Sequence, residues 1–258
     1  MPQFAHDRAS VHYEITGSGP PLLLVAGIAS DSASWGPLLP LLSNRRLILV
    51  DNRGSGQTRV EGPIELDEMA ADCAALVDHL GLGTVDVAGH SLGGYVALAL
   101  AAKHPERVRR LVTMATGAIS APARVLFHDL ARLYFTLPPE DWFRLLYQWL
   151  FSGAFFADEA TVARAAAASA SYAHRQSPGD FARQVAAIDR YPGVDLAAIA
   201  CPVLALVAER DLLARDDAVA SMHAPIRDCR LLTISGAAHS IHWEQPHAVA
   251  TAIDEFLG

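Results

Sequence analysis

The sequence lacks the features that mark membrane, secreted and nucleic-acid-binding proteins. None of its apolar runs reaches the roughly 18 residues that a membrane-spanning helix needs. Residues 1–7 contain no basic segment followed by an apolar stretch, so no secretory signal is predicted. The net charge is −8 and Lys and Arg form no stripe, which disfavours nucleic acid and anionic membranes as partners. We therefore expect a soluble, cytoplasmic protein that binds a small molecule, as a monomer or a homodimer.

Cysteine is scarce as well, with three residues and no CxxC spacing. Cys73, Cys201 and Cys229 each fall within or at the edge of a predicted helix or strand, which favours reduced, buried thiols over disulfides. Hydrophobic residues make up 52% and charged residues 19% of the 258, so the chain can fold around a sizeable core.

Short strand-like runs alternate with helical patterns along most of the chain. Mainly apolar runs predict strands at 21–26, 47–50, 85–88, 108–114, 203–208 and 231–234, and alternation at 11–16 predicts an edge strand. Helical spacing of apolar residues occurs at 65–80, 92–104, 217–223 and 246–257. Apolar strands that alternate with helices predict an α/β fold with a mostly parallel, doubly wound sheet covered on both faces.

Residues 117–191 interrupt this alternation, because they show helical spacing and no strand pattern. We predict a core domain of residues 1–116 and 192–258 and an inserted helical cap of residues 117–191. Ten of the nineteen aromatic residues lie between Phe127 and Phe156. Two interpretations stay open: these rings attach the cap to the sheet domain, or some of them line an apolar substrate pocket. The pocket candidates are Trp35, Trp142, Phe143 and Tyr147.

A Gly-x-Ser-x-Gly pattern, Gly89-His90-Ser91-Leu92-Gly93, stands where a predicted strand meets a predicted helix. A serine hydroxyl is a weak nucleophile, so its chemistry needs a sharp, exposed turn beside an imidazole base and backbone N–H donors. Glycines two positions before and after the serine answer that need, since a side chain there would collide with neighbouring backbone. Ser91 is the predicted nucleophile.

A nucleophilic serine needs a base and an acid, and both are expected at the carboxyl ends of later strands. The strand at 203–208 is followed by Asp211, and the strand at 231–234 is followed by His239. We predict Asp211 and His239 as the acid and the base, with His242 as an alternative base. Glu209 lies too close to its strand end for this role, and Asp216 and Asp217 are typical of a helix cap. Glu209, Asp216 and Asp217 are therefore weaker candidates for the acid.

The negative charge that develops on a carbonyl oxygen needs two backbone N–H donors. Leu92, at the start of the helix behind Ser91, is one predicted donor. Ile28, which follows Gly27 at the end of a predicted strand, is the other. Gly27 is alternatively only a turn glycine. The run Asp51-Asn52-Arg53-Gly54-Ser55-Gly56 is interpreted as a structural turn beside the site.

These motifs resemble the α/β-hydrolase fold enzymes over nearly the whole chain. Gly89–Gly94 resembles the family's nucleophile turn, residues 51–56 resemble its Asp-x-Arg-Gly-x-Gly turn, and Asp211 and His239 match its acid and base. The resemblance implies a Ser-His-Asp triad with no metal and no organic cofactor. The chain departs from the pattern at Ala26-Gly27, where many relatives have His-Gly. A hydrogen bond from that histidine to the oxyanion loop is therefore missing.

The resemblance implies a serine hydrolase that cleaves small to medium, mainly apolar carboxylic esters through an acyl-enzyme intermediate. The same triad serves lactonases, C–C bond hydrolases and cofactor-free haloperoxidases or perhydrolases, and a non-catalytic binding protein is a further alternative. Substrates of the C–C hydrolases usually bear a carboxylate, for which Arg124, Arg132 and Arg144 are candidate partners. Relatives with an aspartate nucleophile are excluded by Ser91.

Overall fold

The computed structural model describes residues 2–258, and their nine β-strands form one sheet. The strands are β1 (Gln3–His6), β2 (Ala9–Thr16), β3 (Pro21–Val25), β4 (Arg46–Val50), β5 (Arg59–Val60), β6 (Val85–His90), β7 (Val108–Met114), β8 (Val203–Ala208) and β9 (Cys229–Ile234). The α-helices are α1 (Leu66–His79), α2 (Leu92–Lys103), α3 (Ala121–Tyr134), α4 (Pro139–Leu150), α5 (Glu159–Ser171), α6 (Pro178–Arg190), α7 (Asp216–His223), α8 (Ile241–Glu244) and α9 (Pro246–Leu257).

The strand order is β1-β2-β4-β3-β6-β7-β8-β9, with β5 paired to β2. The six strands from β4 to β9 in that order pair in parallel, whereas β2 is antiparallel to its neighbours. The expected mostly parallel α/β sheet is therefore confirmed. Because β6, β7, β8 and β9 are adjacent, the loops after β6, β8 and β9 open at one end of the sheet.

Strands β3 and β8 consist of apolar residues throughout because both faces of the sheet are covered. In β3, Leu23 and Val25 pack with α1 and α2 on one face. Leu22 and Leu24 point to the other face, where they pack with Trp35 and α9. Successive side chains of a strand alternate between faces, so a strand that is buried on both sides favours apolar residues at successive positions.

The structure corrects one strand prediction and adds two strands. Residues 11–16 were expected at the edge of the sheet, but β2 lies between β1 and β4, and β1 forms the edge. The short strands β1 and β5 contain Gln3, His6 and Arg59 and carry little apolar pattern, so periodicity did not indicate them. No helix among residues 2–258 has the length and apolar character to cross a membrane.

Helices α3–α6 occupy the chain between β7 and β8, in the segment 117–191 that we call the cap. Ser120, Asp158 and Ser177 cap α3, α5 and α6 by accepting backbone N–H groups, as these residue types do at helix starts. The cap has an aromatic core of its own around Tyr134 and Trp142. The domain boundaries at 116/117 and 191/192 stay a prediction.

Helix α2 lies unusually close to the ends of β3 and β6, and glycine makes this approach feasible. A Cβ at Gly93 would overlap the carbonyl oxygen of Val25, and a Cβ at Gly89 would overlap that of Gly93. Both overlaps involve backbone atoms, which cannot rotate away as a side chain would. The collision expected from the sequence is confirmed.

We predict that Gly93→Ala destabilises the protein by at least about 3 kcal/mol or prevents folding, since the added methyl must displace β3 from α2. Urea unfolding measures the change. Gly83→Ala is the control, because a Cβ there meets nothing within 4 Å, and it is expected to change stability by less than about 0.5 kcal/mol. Equal stability of the two variants would contradict the packing argument.

Candidate active site

Ser91 lies at the sharp turn between β6 and α2, with a backbone conformation of φ 51° and ψ −116°. A positive φ is uncommon for a residue other than glycine and persists only where the surroundings enforce it. The Ser91 N–H donates to the Met114 carbonyl at the end of β7, at 2.9 Å. The close backbone contacts of Gly89 and Gly93 on either side of Ser91 leave no space for a more open turn. The strained serine turn predicted from the motif is present, and Ser91 is half-buried rather than exposed.

The structure brings together the three predicted triad residues. His239 Nε2 lies 2.9 Å from Ser91 Oγ, and His239 Nδ1 lies 2.9 Å from Asp211 Oδ2. The other carboxylate oxygen of Asp211 accepts the N–H groups of Leu213 and Ala214 at 2.8 and 3.0 Å. Burial by itself would raise the pKa of Asp211, but His239 and these hydrogen bonds outweigh it and lower the pKa. Asp211 is therefore a fixed anion behind the imidazole.

The alternative acids and the alternative base occupy other places. Glu209 accepts the Gly236 N–H at 2.6 Å and thereby braces the loop that carries His239. Asp216 and Asp217 were expected to cap α7, but they are the first two residues of that helix, and Arg215 occupies the N-cap position. His242 packs against Trp35 and His90, with ring centroids 5.1 and 4.6 Å away.

Three histidines form a buried column behind Ser91, a feature that the sequence did not indicate. His90 Nε2 donates to the His239 carbonyl at 2.8 Å, and its ring also faces those of His239 and His242. Burial is the main cause that lowers the pKa of His90 to about 3, and the nearby His239 is the second cause. For His242, burial is again the main cause, and together with His90 and His239 it lowers the pKa well below its ordinary value. Both imidazoles are therefore neutral packing groups at neutral pH.

The two predicted oxyanion donors border the same cavity as Ser91 and His239. As the first residue of α2, Leu92 has a backbone N–H without an acceptor inside the helix. Ile28 reaches this position because Gly27 passes directly over the serine turn. A Cβ at Gly27 would lie 3.0 Å from His90 Nδ1 and 3.3 Å from the Cβ of Ser91. Gly27 thus serves close approach rather than a turn alone.

The loop that carries Ile28 is held by side chains from two directions. Asn52 Nδ2 donates to the Ala26 carbonyl at 2.8 Å. Gln176 of the cap accepts the Ala29 N–H at 3.1 Å, and Ala29 has a φ of 58°. Asp51 accepts hydrogen bonds from Ser32, which agrees with a structural role for the turn that it begins. No local sequence signal indicates Gln176, since its partner lies 147 positions away.

The cap is also bonded to the loop that carries His239. Glu244 Oε1 accepts the N–H and hydroxyl of Ser152 in the cap at 3.0 and 2.6 Å. Its second oxygen, Oε2, accepts the Ala238 N–H at 2.7 Å. The Ser240 N–H donates to the Leu150 carbonyl of the cap at 2.8 Å.

The cavity beside Ser91 is small and mainly apolar, and a larger one adjoins it. The first cavity has a volume of about 50 Å³, and the second has a volume of about 210 Å³. Val185 and Phe127 line the first cavity, and Leu98 and Met222 line the second. The two cavities share four lining residues: Tyr95, Ile119, Arg124 and Ile188.

The prediction that Trp35, Trp142, Phe143 and Tyr147 line the pocket is wrong. None of them is among the described residues that border this cavity. Trp35 is fully buried on the opposite face of the sheet. Trp142, Phe143 and Tyr147 form the core of the cap, where Trp142 stacks on Tyr134 at 3.7 Å between ring centroids. Helical spacing indicates which rings are buried but not which partner buries them.

Arg124 is the one of the three candidate arginines that borders both cavities. Its Nη1 lies 3.0 Å from Asp189, which also borders the first cavity and pairs with His128. Arg132 and Arg144 pair on the cap with Asp129 and Glu159, respectively. Among residues 2–258, no group of three or more His, Cys, Asp or Glu side chains is arranged to hold a metal ion.

A parallel sheet with a strained serine turn and a histidine–aspartate pair at its carboxyl end is the architecture of the α/β hydrolases. The chain belongs to the alpha/beta hydrolase fold family, which matches residues 20–246. It is 30% identical over 263 residues to the Azorhizobium caulinodans protein named "Putative carbamate hydrolase RutD", covering 100% of this chain and 98% of that one.

Solved structures agree with this assignment. A thermophilic esterase from Thermogutta terrifontis has a TM-score of 0.82 and 28% identity, covering 96% of this chain and 93% of that chain. The enol-lactonase from Burkholderia xenovorans LB400 has a TM-score of 0.87 and 24% identity, covering 99% of each chain. At that identity the enol-lactonase shows the shared fold alone. The family, the Azorhizobium caulinodans protein and the esterase support hydrolytic activity.

We predict that the buried histidines make the fold sensitive to acid. The depressed pKa values of His90 and His242 mean that the unfolded chain binds more protons than the folded one below about pH 6.5. Stability is therefore complete above that pH and falls as the pH drops toward the folded-state pKa values. His242→Phe should therefore lose less of its free energy of unfolding than the wild type does between pH 7 and pH 5.

Urea unfolding at pH 8, 7, 6 and 5 measures this difference. His247→Asn is the control, because His247 is exposed and its removal is expected to leave the pH dependence of the wild type unchanged. An unaltered pH slope in His242→Phe would show that His242 does not resist protonation in the folded protein.

Proposed function

We propose that the protein is a serine hydrolase that cleaves carboxylic esters through an acyl-enzyme intermediate. The observation that carries the proposal is the unbroken hydrogen-bonded chain from Ser91 through His239 to the anionic Asp211 at the edge of a cavity. A serine beside a base that is oriented by an acid is the arrangement that activates a hydroxyl for attack on a carbonyl.

In the proposed reaction, His239 Nε2 takes the proton of Ser91 as its oxygen attacks the ester carbonyl. Asp211 accepts the Nδ1–H of His239, which leaves Nε2 free to act as the base and stabilises the imidazolium that forms. The N–H groups of Ile28 and Leu92 hold the oxyanion, and the imidazolium then protonates the departing alcohol. Water repeats the sequence and releases the acid.

The lining of the cavity favours a neutral, mainly apolar substrate of small to medium size. Its wall is built largely of side chains such as Phe127, Val185 and Ile188. Arg124 is the single arginine on the described wall, and Asp189 already balances its charge. A carboxylate in the substrate would have to displace Asp189 from Arg124 to be bound.

A second candidate function rests on that same arginine. Arg124 lies where the two cavities meet, so a lactone or C–C hydrolase substrate that bears a carboxylate could place it there. We favour the neutral ester, because Arg124 is already paired with Asp189. The esterase and carbamate hydrolase names of similar proteins support hydrolysis in general.

We predict that Ser91→Ala lowers ester turnover by at least about 10³-fold while the protein stays folded, since no other group can form the acyl-enzyme. The assay uses p-nitrophenyl esters graded by acyl length, with lactones and a vinylogous diketone acid alongside. Thermal unfolding checks the fold, and Ser171→Ala, on the exposed side of α5, is the control.

Each outcome of this assay discriminates between functions. Wild-type failure on every ester would refute the ester proposal, and turnover of a lactone or of the diketone acid would then select the second candidate. Binding without any Ser91-dependent turnover would indicate a non-catalytic protein.

We predict that Asp189→Asn shifts the substrate preference toward anionic esters, because it frees the charge of Arg124. The ratio of kcat/KM for the p-nitrophenyl monoester of glutaric acid to that for p-nitrophenyl pentanoate should rise about fivefold, the size expected for a partly exposed ion pair. Asp129→Asn is the matched control, since Asp129 pairs with Arg132 on the outer face of α3. The same rise in both variants would exclude a specific role for Asp189.

A further inference from the structure

The cap donates one buried side chain, Gln176, to the loop that carries Ile28. Gln176 is 6% exposed, and both ends of its amide are used. Its Oε1 accepts the Ala29 N–H at 3.1 Å, and its Nε2 donates to the Gly54 carbonyl at 2.8 Å. The amide therefore bridges the ends of two core loops, those that follow β3 and β4.

The Ala29 N–H needs this partner more than an ordinary backbone group does. Ala29 has a φ of 58°, a conformation that a residue with a Cβ adopts only when its surroundings hold it there. A buried N–H without an acceptor costs about 1–3 kcal/mol, which would favour a different path for the loop. Because Gln176 Oε1 accepts the Ala29 N–H, this cost does not arise in the observed conformation.

Gln176 is itself fixed from the cap side. The Tyr134 hydroxyl donates to the Gln176 carbonyl at 2.9 Å, and Tyr134 stacks on Trp142 in the cap core. The side chains of Ile28 and Ala29 pack against the same aromatic core. The cap thus holds the loop through both an apolar contact and a directed hydrogen bond.

We propose that Gln176 is a positioning residue for the oxyanion loop. It fixes the peptide that joins Ile28 to Ala29. The neighbouring peptide, between Gly27 and Ile28, carries the Ile28 N–H that is proposed to hold the oxyanion. Asn52 holds the other side at Ala26, so the Ile28 N–H is set between two anchored points. The inference rests on the proposed ester hydrolysis and on Ile28 as an oxyanion donor. The cap then contributes to the rate of the reaction as well as to the choice of substrate.

The experiment compares Gln176→Leu with Gln184→Leu. Gln184 is a second fully buried glutamine of the cap, and it donates to the Arg53 carbonyl and to Ser55 at 2.8 and 3.0 Å. Both variants lose a buried amide that joins the cap to the core, but only Gln176 touches the oxyanion loop. Gln176→Leu should lower kcat by about 10- to 100-fold and change KM less than threefold, because the lost interaction acts in the transition state. Gln184→Leu should retain at least half of the wild-type kcat.

Hydrogen exchange gives a readout that does not depend on turnover. In Gln176→Leu, the amide of Ala29 should exchange at least tenfold faster than in the wild type, and in Gln184→Leu it should not. Gln176→Glu keeps an acceptor for this N–H, so its kcat should stay within about tenfold of the wild type even if the leucine variant does not fold.

The outcomes separate this inference from the proposed function. Wild-type enzyme without ester turnover refutes the proposed function, and unchanged exchange at Ala29 in Gln176→Leu refutes the anchoring role of Gln176. An active wild type with equal losses of kcat in Gln176→Leu and Gln184→Leu shows a general structural role and overturns the positioning role. A folded Gln176→Glu variant whose kcat is more than tenfold below that of the wild type overturns the positioning role as well.

Discussion

The close approach of helix α2 to the ends of β3 and β6 is the constraint on which the rest of the structure depends. Gly93 lies against the Val25 carbonyl and Gly89 against that of Gly93, so the chain between them has no room for a relaxed turn. Ser91 takes the strained conformation that remains. That conformation presents its hydroxyl to His239 at the open end of the sheet. Backbone packing thus places the serine, and the hydrogen bond from its N–H to the Met114 carbonyl supports that placement.

Several polar contacts of the cap reach the two loops that complete the site. One reaches the oxyanion loop through Gln176, and the others reach the His239 loop through Ser152 and Leu150. These contacts are buried or partly buried hydrogen bonds, for which water is a poor substitute once the cap is in place. Movement of the cap and the geometry of the site are therefore energetically linked.

The sequence predicts those parts of the molecule that local patterns encode. Continuous apolar strands indicated the sheet, and residues at strand ends identified Ser91, Asp211 and His239, because parallel strands bring their carboxyl ends together. The position of β2 inside the sheet was missed, since alternation of side chains does not specify the neighbouring strand. Roles of individual aromatic rings were missed for the same reason: spacing predicted that Trp142 is buried, but its partner Tyr134 is a matter of tertiary packing. Gln176 carries no local signal at all.

The bond between Gln176 and Ala29 bears on how this scaffold acquires new specificities. Here a transplanted segment 117–191 would bring a foreign side chain to the place of Gln176, and the core loop beneath it would lose its anchor. Within the core, Asn52 anchors this loop at the Ala26 carbonyl, whereas Ala29 is held by Gln176 of the cap. In this chain, cap and core must diverge together.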